Sequence, residues 1–290
     1  MTANIVKNLC YYVYQMASKI LFGTAGIPLS CNGTAIDAME TLNKLKLDAM
    51  EIEFVHGVHM KKDYATELKK SAEKNAIALT VHAPYYINLN AREKEKIEAS
   101  KKRIIDSATI GSFAGAKSVA IHAAYFMGQE NSIVEKKLEP IFQELVAELD
   151  EKNIEISLAP ETSGKKVQFG SLEEHLQLAS AVKGLRLCID FSHLHAREKG
   201  AMKSKKDFEK IFETVEKSDK KFLQGLHMHC SGIAYSAKGE KNHLPLKESD
   251  FRYNELMQCL KEFNVSGILI CESPNLEEDA ILLKKTFENI

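Results

Sequence analysis

The stretch IALTVHAPYYINLN, residues 77–90, is an apolar run that ends in a histidine and continues into a loop. Comparable runs recur along the chain from Lys19 onward. The segments between them, such as residues 93–115, 133–150 and 251–263, have apolar residues at three-to-four-residue spacing. Short apolar runs that alternate with amphipathic stretches are typical of parallel strands joined by crossover helices. The sequence therefore predicts an α/β protein.

The number of apolar runs selects one α/β architecture. We predict strands at residues 20–23, 49–54, 77–82, 118–122, 154–161, 185–190, 222–229 and 267–272. Eight β/α units in about this length predict a closed (β/α)8 TIM barrel. The alternative is an open doubly wound sheet, but no glycine-rich phosphate loop follows the first strand. We expect one barrel domain at residues 19–290, preceded by an extension at residues 1–18.

Composition limits the partners and the location. The chain has 290 residues, a net charge of −1 and a pI near 6.8, which argues against a protein that simply coats DNA. The six cysteines form no close pairs and several lie in or beside apolar runs, as reduced thiols of a cytoplasmic protein do. The N-terminus resembles neither a signal peptide nor a membrane span, so no membrane partner is expected. The first fifteen residues are either an added helix or sequence upstream of the true start.

Potential metal ligands stand at the ends of six consecutive predicted strands. In a barrel, the C-terminal ends of the strands converge on one mouth, so these side chains could share one polar cluster. Acids and imidazoles crowded together would repel or stay unsatisfied without cations, and a divalent metal satisfies them. The residues are His82, His122, Glu161, Asp190, His227, His229 and Glu272.

Three more residues extend this set. His193 follows Asp190 by three residues in CIDFSH, and the predicted loop KGEKNH contains Glu240 and His243. Imidazole with carboxylate suits zinc or manganese, whereas magnesium and calcium prefer oxygen ligands. Glu240 has a second interpretation as a solvated charge beside its lysine neighbours. The other histidines are interpreted as surface or supporting groups: His56, His59, His175 and His195.

Taken in order, these motifs resemble the endonuclease IV family of abasic-site DNA repair enzymes, within the xylose-isomerase-like barrel superfamily. The likeness runs from about residue 19 to residue 274. It rests on seven stretches that are similar to family motifs: HAPYYINL, IHAAYFMG, PETSGKKVQFG, LRLCIDFSH, FLQGLHMH, GEKNH and ICESP.

The resemblance implies up to three zinc ions per chain, with manganese as the alternative metal. It also implies hydrolysis of the DNA phosphodiester 5′ to an abasic site, with Glu161 orienting the nucleophile. Carried over position by position, the ions would be held by His82, His122 and the bridging Glu161; by Glu161, Asp190, Glu272 and a histidine of strand seven; and by His193, Glu240 and His243. The family's Gly-hydrophobic-His spacing favours His227 for strand seven, while strand alternation leaves His229 open.

The expected substrate contacts and partner follow from the same resemblance. Tyr85 would pack against the DNA backbone or the abasic gap, and lysines at the mouth would contact phosphates. These lysines are Lys165, Lys166, Lys238 and Lys241. We expect a monomer whose partner is DNA containing abasic sites.

The sequence departs from the family pattern at the mouth. Glu240 stands one residue further from its histidine than the family's aspartate does, and the loop VHGVHMKKD lacks the family's Arg-Gln-Trp-like residues that contact DNA. One alternative is a sugar isomerase or epimerase with one metal held by Glu161, Asp190, a strand-seven histidine and Glu272. This leaves the remaining histidines without a role. The other alternative is a non-catalytic homologue that binds metal or DNA.

Overall fold

Eight parallel strands form the barrel in the computed structural model, which describes residues 19–290. The predicted extension at residues 1–18 lies outside the described residues. The barrel strands are β1 (Ile20–Ala25), β2 (Ala49–Glu53), β3 (Ala78–His82), β4 (Ser118–Ile121), β5 (Ser157–Pro160), β6 (Cys188–Asp190), β7 (Leu226–Cys230) and β8 (Gly267–Cys271). All eight coincide with predicted runs, and the predicted TIM barrel is confirmed.

The sheet closes between its two edge strands. Along the sheet the strands follow the order β5, β4, β3, β2, β1, β8, β7 and β6. A parallel bridge between Glu161 and Cys188 joins the edges, and the Thr162 amide donates to the Cys188 carbonyl at 3.1 Å. The Arg186 amide donates to the Leu158 carbonyl at 2.9 Å. Closure brings Glu161 beside the end of β6, although 27 residues separate it from Cys188 along the chain.

Helices follow the strands on the outside of the barrel. They are α1 (Ala35–Lys44), α2 (Lys62–Asn75), α3 (Lys94–Ala114), α4 (Asn131–Glu151), α5 (Leu172–Ala181), α6 (Phe191–Arg197), α7 (Lys205–Asp219), α8 (Tyr253–Glu262) and α9 (Glu277–Glu288). Local sequence defines several ends: Ser171 and Glu174 form a capping box at the start of α5, and Gly115 ends α3 at φ 76°. No helix among residues 19–290 is long and apolar enough to cross a membrane.

The two faces of the strands carry different side chains. Large apolar residues such as Phe22, Leu79 and Met228 belong to the main core, which packs the strands against the helices. The residues on the opposite face of the strands form two separate clusters, and most of their side chains are small. The clusters consist of Ala49, Ala78, Ala120, Ala159 and Cys188, with Ile268 and Ile270. Barrel interiors are usually filled by bulky branched residues. Here small residues leave room inside the barrel for polar side chains.

Three features differ from the sequence-based expectation. The segment KGEKNH is not a loop: Glu240 and His243 belong to an antiparallel hairpin formed by Gly232–Ser236 and Gly239–Leu244. The expected turn in CIDFSH is the first turn of α6. The seventh strand begins at Leu226 instead of residue 222, because Lys220–Leu223 form a 3-10 helix. The five cysteines of the described chain form no disulfide.

Candidate metal centre

Glu161 lies at the centre of the mouth, and each of its carboxylate oxygens faces two imidazoles. Oε2 is 3.1 Å from His82 Nε2 and 3.4 Å from His122 Nε2. Oε1 is 3.1 Å from His229 Nδ1 and 3.3 Å from His193 Nδ1. Glu161 is fully buried. The two oxygens of this one carboxylate could therefore serve two neighbouring ions.

A buried arginine holds the loop that follows Glu161 through hydrogen bonds to its carbonyl groups. Arg197 Nη1, at the end of α6, donates to the carbonyls of Ser163 at 3.3 Å, Lys165 at 2.7 Å and Gln168 at 3.1 Å. A guanidinium is suited to this task because its donors have a fixed planar arrangement. The loop that carries Lys165 and Lys166 is thus tied to the barrel.

Asp190 and His193 are placed by the start of α6. Asp190 ends β6 and caps the helix, since its Oδ1 accepts a hydrogen bond from the His193 amide at 2.7 Å. The His193 ring contacts the Thr162 carbonyl through Nδ1 at 3.0 Å, and its Nε2 lies 3.5 Å from Glu240 Oε2. Nε2 is therefore the ring nitrogen that faces Glu240.

A β-bulge explains how Glu240 and His243 both serve the mouth. Residues three apart on a regular strand point to opposite faces. In the hairpin, Tyr235 pairs with Glu240 and Ala234 with Asn242, so Lys241 is an extra residue and the register shifts there. The bulge returns His243 to the face of Glu240, and the His243 ring centroid lies 5.5 Å from that of His193. The longer spacing noted in the sequence is thereby compensated.

The two histidines of β7 lie at different depths. His229 pairs in register with Asp190 at the mouth, and its Nδ1 lies 3.5 Å from Glu272 Oε1. His227 pairs with Cys188 one layer deeper, where its Nε2 is 2.9 Å from Glu51 Oε2. The structure thus brings His229 to the mouth, whereas the family spacing favoured His227.

We call the residues around this opening the mouth cluster; they are His82, His122, Glu161, Asp190, His193, His229, Glu240, His243 and Glu272. Several of their buried atoms have no hydrogen-bond partner, namely Asp190 Oδ2, Glu272 Oε2 and His122 Nδ1. Buried carboxylates without partners are costly unless a cation neutralises them. Subsets of the cluster hold ligand atoms within 4.8 Å of one another, including His82, His122 and Glu161. The donor set therefore fits divalent metal ions.

Burial and charge shift the pKa values of the mouth cluster in opposite directions. Burial lowers the pKa of His122 to about 3, although the charge of Glu161 opposes the shift. Burial also opposes charging of His82, but the hydrogen bond and charge of Glu161 outweigh it and raise its pKa to about 10. Burial raises the pKa of Glu272, against the charge of His229. His122 therefore has the neutral imidazole that a metal requires, whereas a metal would compete with a proton at His82.

Aromatic and basic side chains surround the mouth cluster. Tyr85 is 49% exposed, and its ring contacts His82 edge-on at a centroid distance of 5.2 Å. Next to it, the hydroxyl of the exposed Tyr86, which the sequence did not single out, bonds His56 Nδ1 at 2.8 Å. The four predicted lysines are exposed, and they lie on two adjacent segments because Lys165 bridges Gly239. They are Lys165, Lys166, Lys238 and Lys241.

Sequence reasoning missed three polar residues inside the barrel. Glu51 and Glu53 alternate with apolar residues on β2, and Cys188 begins β6. Burial, followed by the charge of Glu51, raises the pKa of Glu53 to about 7. The signal was present in AMEIE, where two acids stand two apart in an otherwise apolar strand and must share one face.

The buried His175 predicts an acid-sensitive step in stability. Burial lowers its pKa from 6.5 to about 4, although the charge of Glu174 and the bond from Nδ1 to the Ser171 carbonyl oppose the shift, and Nε2 has no partner. A depressed pKa favours the neutral form in the folded state, so stability present above pH 6.5 is lost as the pH falls toward 4. We expect His175→Phe to reduce the loss between pH 7 and 4.5 by about 2.5 kcal/mol. Urea denaturation at both pH values measures the difference.

The exposed His59 is the matched control for this prediction. His59→Phe is expected to keep the wild-type dependence of unfolding free energy on pH. Parallel curves for wild type and His175→Phe would contradict the assigned role of the buried imidazole.

The Glu240 side chain packs against Gly164, where a larger residue would not fit, and this contact predicts an effect on metal affinity. A Cβ at position 164 would lie 2.6 Å from Glu240 Cβ and 2.8 Å from its Oε2. Gly164→Ala is therefore expected to displace Glu240 from His193 and weaken one ion by about 10- to 100-fold, as loss of a ligand's support does. Zinc titration with a competing chelator measures this. Val167→Ala, at an exposed position of the same loop, is the control, and unchanged affinity in Gly164→Ala would contradict the role of Glu240.

The barrel and its mouth define a class of protein, a (β/α)8 barrel with a carboxylate–imidazole cluster suited to metal. The chain belongs to the xylose isomerase-like TIM barrel family, whose sequence model matches residues 39–286. Over 272 residues it is 43% identical to the uncharacterized protein MJ0133 of Methanocaldococcus jannaschii, a match that covers 93% of this chain and 98% of the relative.

Solved structures with the same fold have different activities in their names. Endonuclease IV from Thermus thermophilus superimposes with a TM-score of 0.69 and 15% identity, covering 93% of this chain and 98% of that chain. A D-tagatose 3-epimerase-like protein gives a TM-score of 0.67 and 19% identity, covering 93% and 96%. At such identities the likeness shows the fold alone. The same fold is therefore present in an endonuclease IV and in a D-tagatose 3-epimerase-like protein.

Proposed function

We propose that this protein is a metal-dependent phosphodiester hydrolase that cuts DNA on the 5′ side of an abasic site, as part of DNA repair. The observation that supports this is the surroundings of Glu161. Each of its oxygens lies within 3.4 Å of two imidazoles, which suits a carboxylate shared by two ions. A multi-ion site suits phosphodiester hydrolysis, because both the attacking and the leaving oxygen need charge stabilisation.

We assign the mouth cluster to three ions. They would be held by His82, His122 and Glu161; by Glu161, Asp190, His229 and Glu272; and by His193, Glu240 and His243. Zinc suits this mixture of imidazole and carboxylate, and manganese is the alternative. Bound there, the ions would supply positive charge for the phosphoryl oxygens and for the departing alkoxide.

The residues of the chain would bind and orient the DNA around these ions. The exposed ring of Tyr85, beside His82, would pack against the backbone or the abasic gap. The mouth lysines would contact phosphates, and such contacts weaken as salt is raised. An abasic nucleotide costs less to extrude than a paired one, which would favour it as the substrate. We infer a monomer that acts on DNA.

A one-metal epimerase is the competing function. Glu161, Asp190, His229 and Glu272 would suffice for it, and a D-tagatose 3-epimerase-like protein has the same fold. That assignment gives His82 and His122 no metal to bind, although both lie beside the same oxygen of Glu161. One ion has no use for so many imidazoles. We therefore favour the hydrolase.

One experiment separates the two functions. The full chain, stripped and reloaded with zinc or manganese, is incubated with a duplex that contains one abasic site, with the intact duplex and with ketoses. A nick 5′ to the abasic site, none in the intact duplex and at least three ions per chain would support the proposal. Ketose conversion without nicking, at one or two ions per chain, would overturn it. Binding of the abasic duplex without nicking would identify a non-catalytic homologue.

A further inference from the structure

A second group of ligand-type side chains lies inside the barrel, one layer below the mouth cluster. We call it the inner cluster, and it consists of Glu51, Cys188, His227 and the inward-facing Nε2 of His229. All four residues are at most 2% exposed. Cys188, His227 and His229 hold ligand atoms within 4.8 Å of one another. The hydrolase assignment uses only the outward-facing Nδ1 of His229.

The distances within the inner cluster are those of atoms around one ion. His229 Nε2 lies 3.2 Å from His227 Nε2 and 3.8 Å from Cys188 Sγ. The Glu51 carboxylate lies 2.9 Å from each of the two Nε2 atoms. Tetrahedral zinc with nitrogen and sulfur ligands separates its ligand atoms by about 3.3 to 3.6 Å. The distances around Nε2 lie within a few tenths of an ångström of these values, although Cys188 Sγ also lies 3.9 Å from His229 Nδ1 and would move toward the Nε2 side when an ion binds.

Glu51 shows that hydrogen bonds alone do not satisfy the inner cluster. Its carboxylate is fully buried, yet neither oxygen accepts a hydrogen bond with acceptable geometry, although two imidazole nitrogens lie 2.9 Å away. The Nε2 atoms instead point toward each other. A buried carboxylate without partners is strongly unfavourable, and a cation among these atoms would neutralise it.

The surroundings hold His227 in place. Ser118 Oγ bonds His227 Nδ1 at 3.0 Å, which orients the ring so that Nε2 faces the cluster. Such a bond to the second nitrogen is the usual support for a metal-binding histidine. The hydrophobic residues that pack with Cys188 are the small Ala120 and Ala159.

We propose that Glu51, Cys188, His227 and His229 form an inner metal site that binds one thiophilic divalent transition ion, such as zinc. A thiolate ligand excludes magnesium and calcium from this site. His229 connects the two sites, since Nε2 faces the inner ion and Nδ1 lies 3.1 Å from Glu161 Oε1. With both ions bound, the ring would release its N–H proton and bridge them as an imidazolate. The inner ion thus fixes the orientation of a ring that also belongs to the mouth cluster.

Sulfur coordination provides a test that is independent of DNA cleavage, because the mouth cluster contains no cysteine. The full chain is loaded with cobalt(II), and a sulfur-to-cobalt charge-transfer band in the near ultraviolet is expected. Cys188→Ser should lose this band and bind one ion fewer per chain. Cys259→Ser changes another buried cysteine, on α8, and should keep both.

If Cys188→Ser does not fold, two further measurements still test the inner site. His227→Gln should also bind one ion fewer, and X-ray absorption of the zinc-loaded wild type should show a sulfur neighbour at about 2.3 Å. No charge-transfer band and only oxygen and nitrogen neighbours in the wild type would overturn the inner site. A sulfur signal in a protein that does not cut abasic DNA would refute the hydrolase alone, and cutting without a sulfur signal would refute the inner site alone.

Discussion

Glu161→Gln is expected to lower the single-turnover rate of nicking at an abasic site by about 10³-fold or more, equivalent to about 4 kcal/mol of transition-state stabilisation. The physical reason is the position of its two oxygens. One faces His82 and His122, and the other faces His193 and His229. An amide replaces one oxygen by an NH2 group, which cannot bind a cation. The variant can therefore serve only one of the two ions that the carboxylate would share.

A surface glutamate provides the control for this substitution. Glu151→Gln, at the exposed end of α4, should cut at the wild-type rate. The metal content of Glu161→Gln should fall by at least one ion per chain, which shows that the lost rate comes from lost coordination. If Glu161→Gln retained more than a tenth of the wild-type rate, the central role of this carboxylate would be wrong.

Removal of metal by a chelator is expected to lower the melting temperature by about 8 °C or more. Without cations, the buried carboxylates of Glu161 and Asp190 lie near the partly buried carboxylate of Glu272, and Asp190 and Glu272 each have an unpartnered oxygen. An ion present at about 1,000 times its Kd stabilises the folded state by about 4 kcal/mol. For a chain of this size, each kcal/mol changes the melting temperature by about 2 °C. Thermal unfolding with and without zinc measures the shift.

Substitution of one acidic residue of the mouth cluster provides the control for the thermal shift. Asp190→Asn removes one of the buried negative charges, so its apo form should lose less stability than the wild-type apo form does. Magnesium at the same concentration should restore less than zinc, because imidazole nitrogens favour zinc. Equal melting temperatures for the stripped and the zinc-loaded protein would refute metal binding at both clusters.

The sequence alone determined the barrel. Apolar runs and amphipathic helices alternate because each strand and each helix must bury one face, and this requirement is visible residue by residue. It also showed that potential ligands such as His82, Glu161 and Asp190 end successive strands. Parallel strands in a barrel place these ends at one mouth, so their proximity followed without coordinates.

The tertiary structure alone decided how these residues combine. Both β7 histidines face inward by strand alternation, but only the register of β6 against β7 sets His229 beside Asp190 and His227 beside Cys188. The bulge at Lys241 depends on pairing across the hairpin, which spacing along one strand does not specify. Glu51 of β2 likewise meets His227 of β7 only in the closed barrel, because the two strands are not neighbours in the sheet. Periodicity assigns a side chain to a face of the sheet, whereas its depth depends on neighbouring strands that are distant in the sequence.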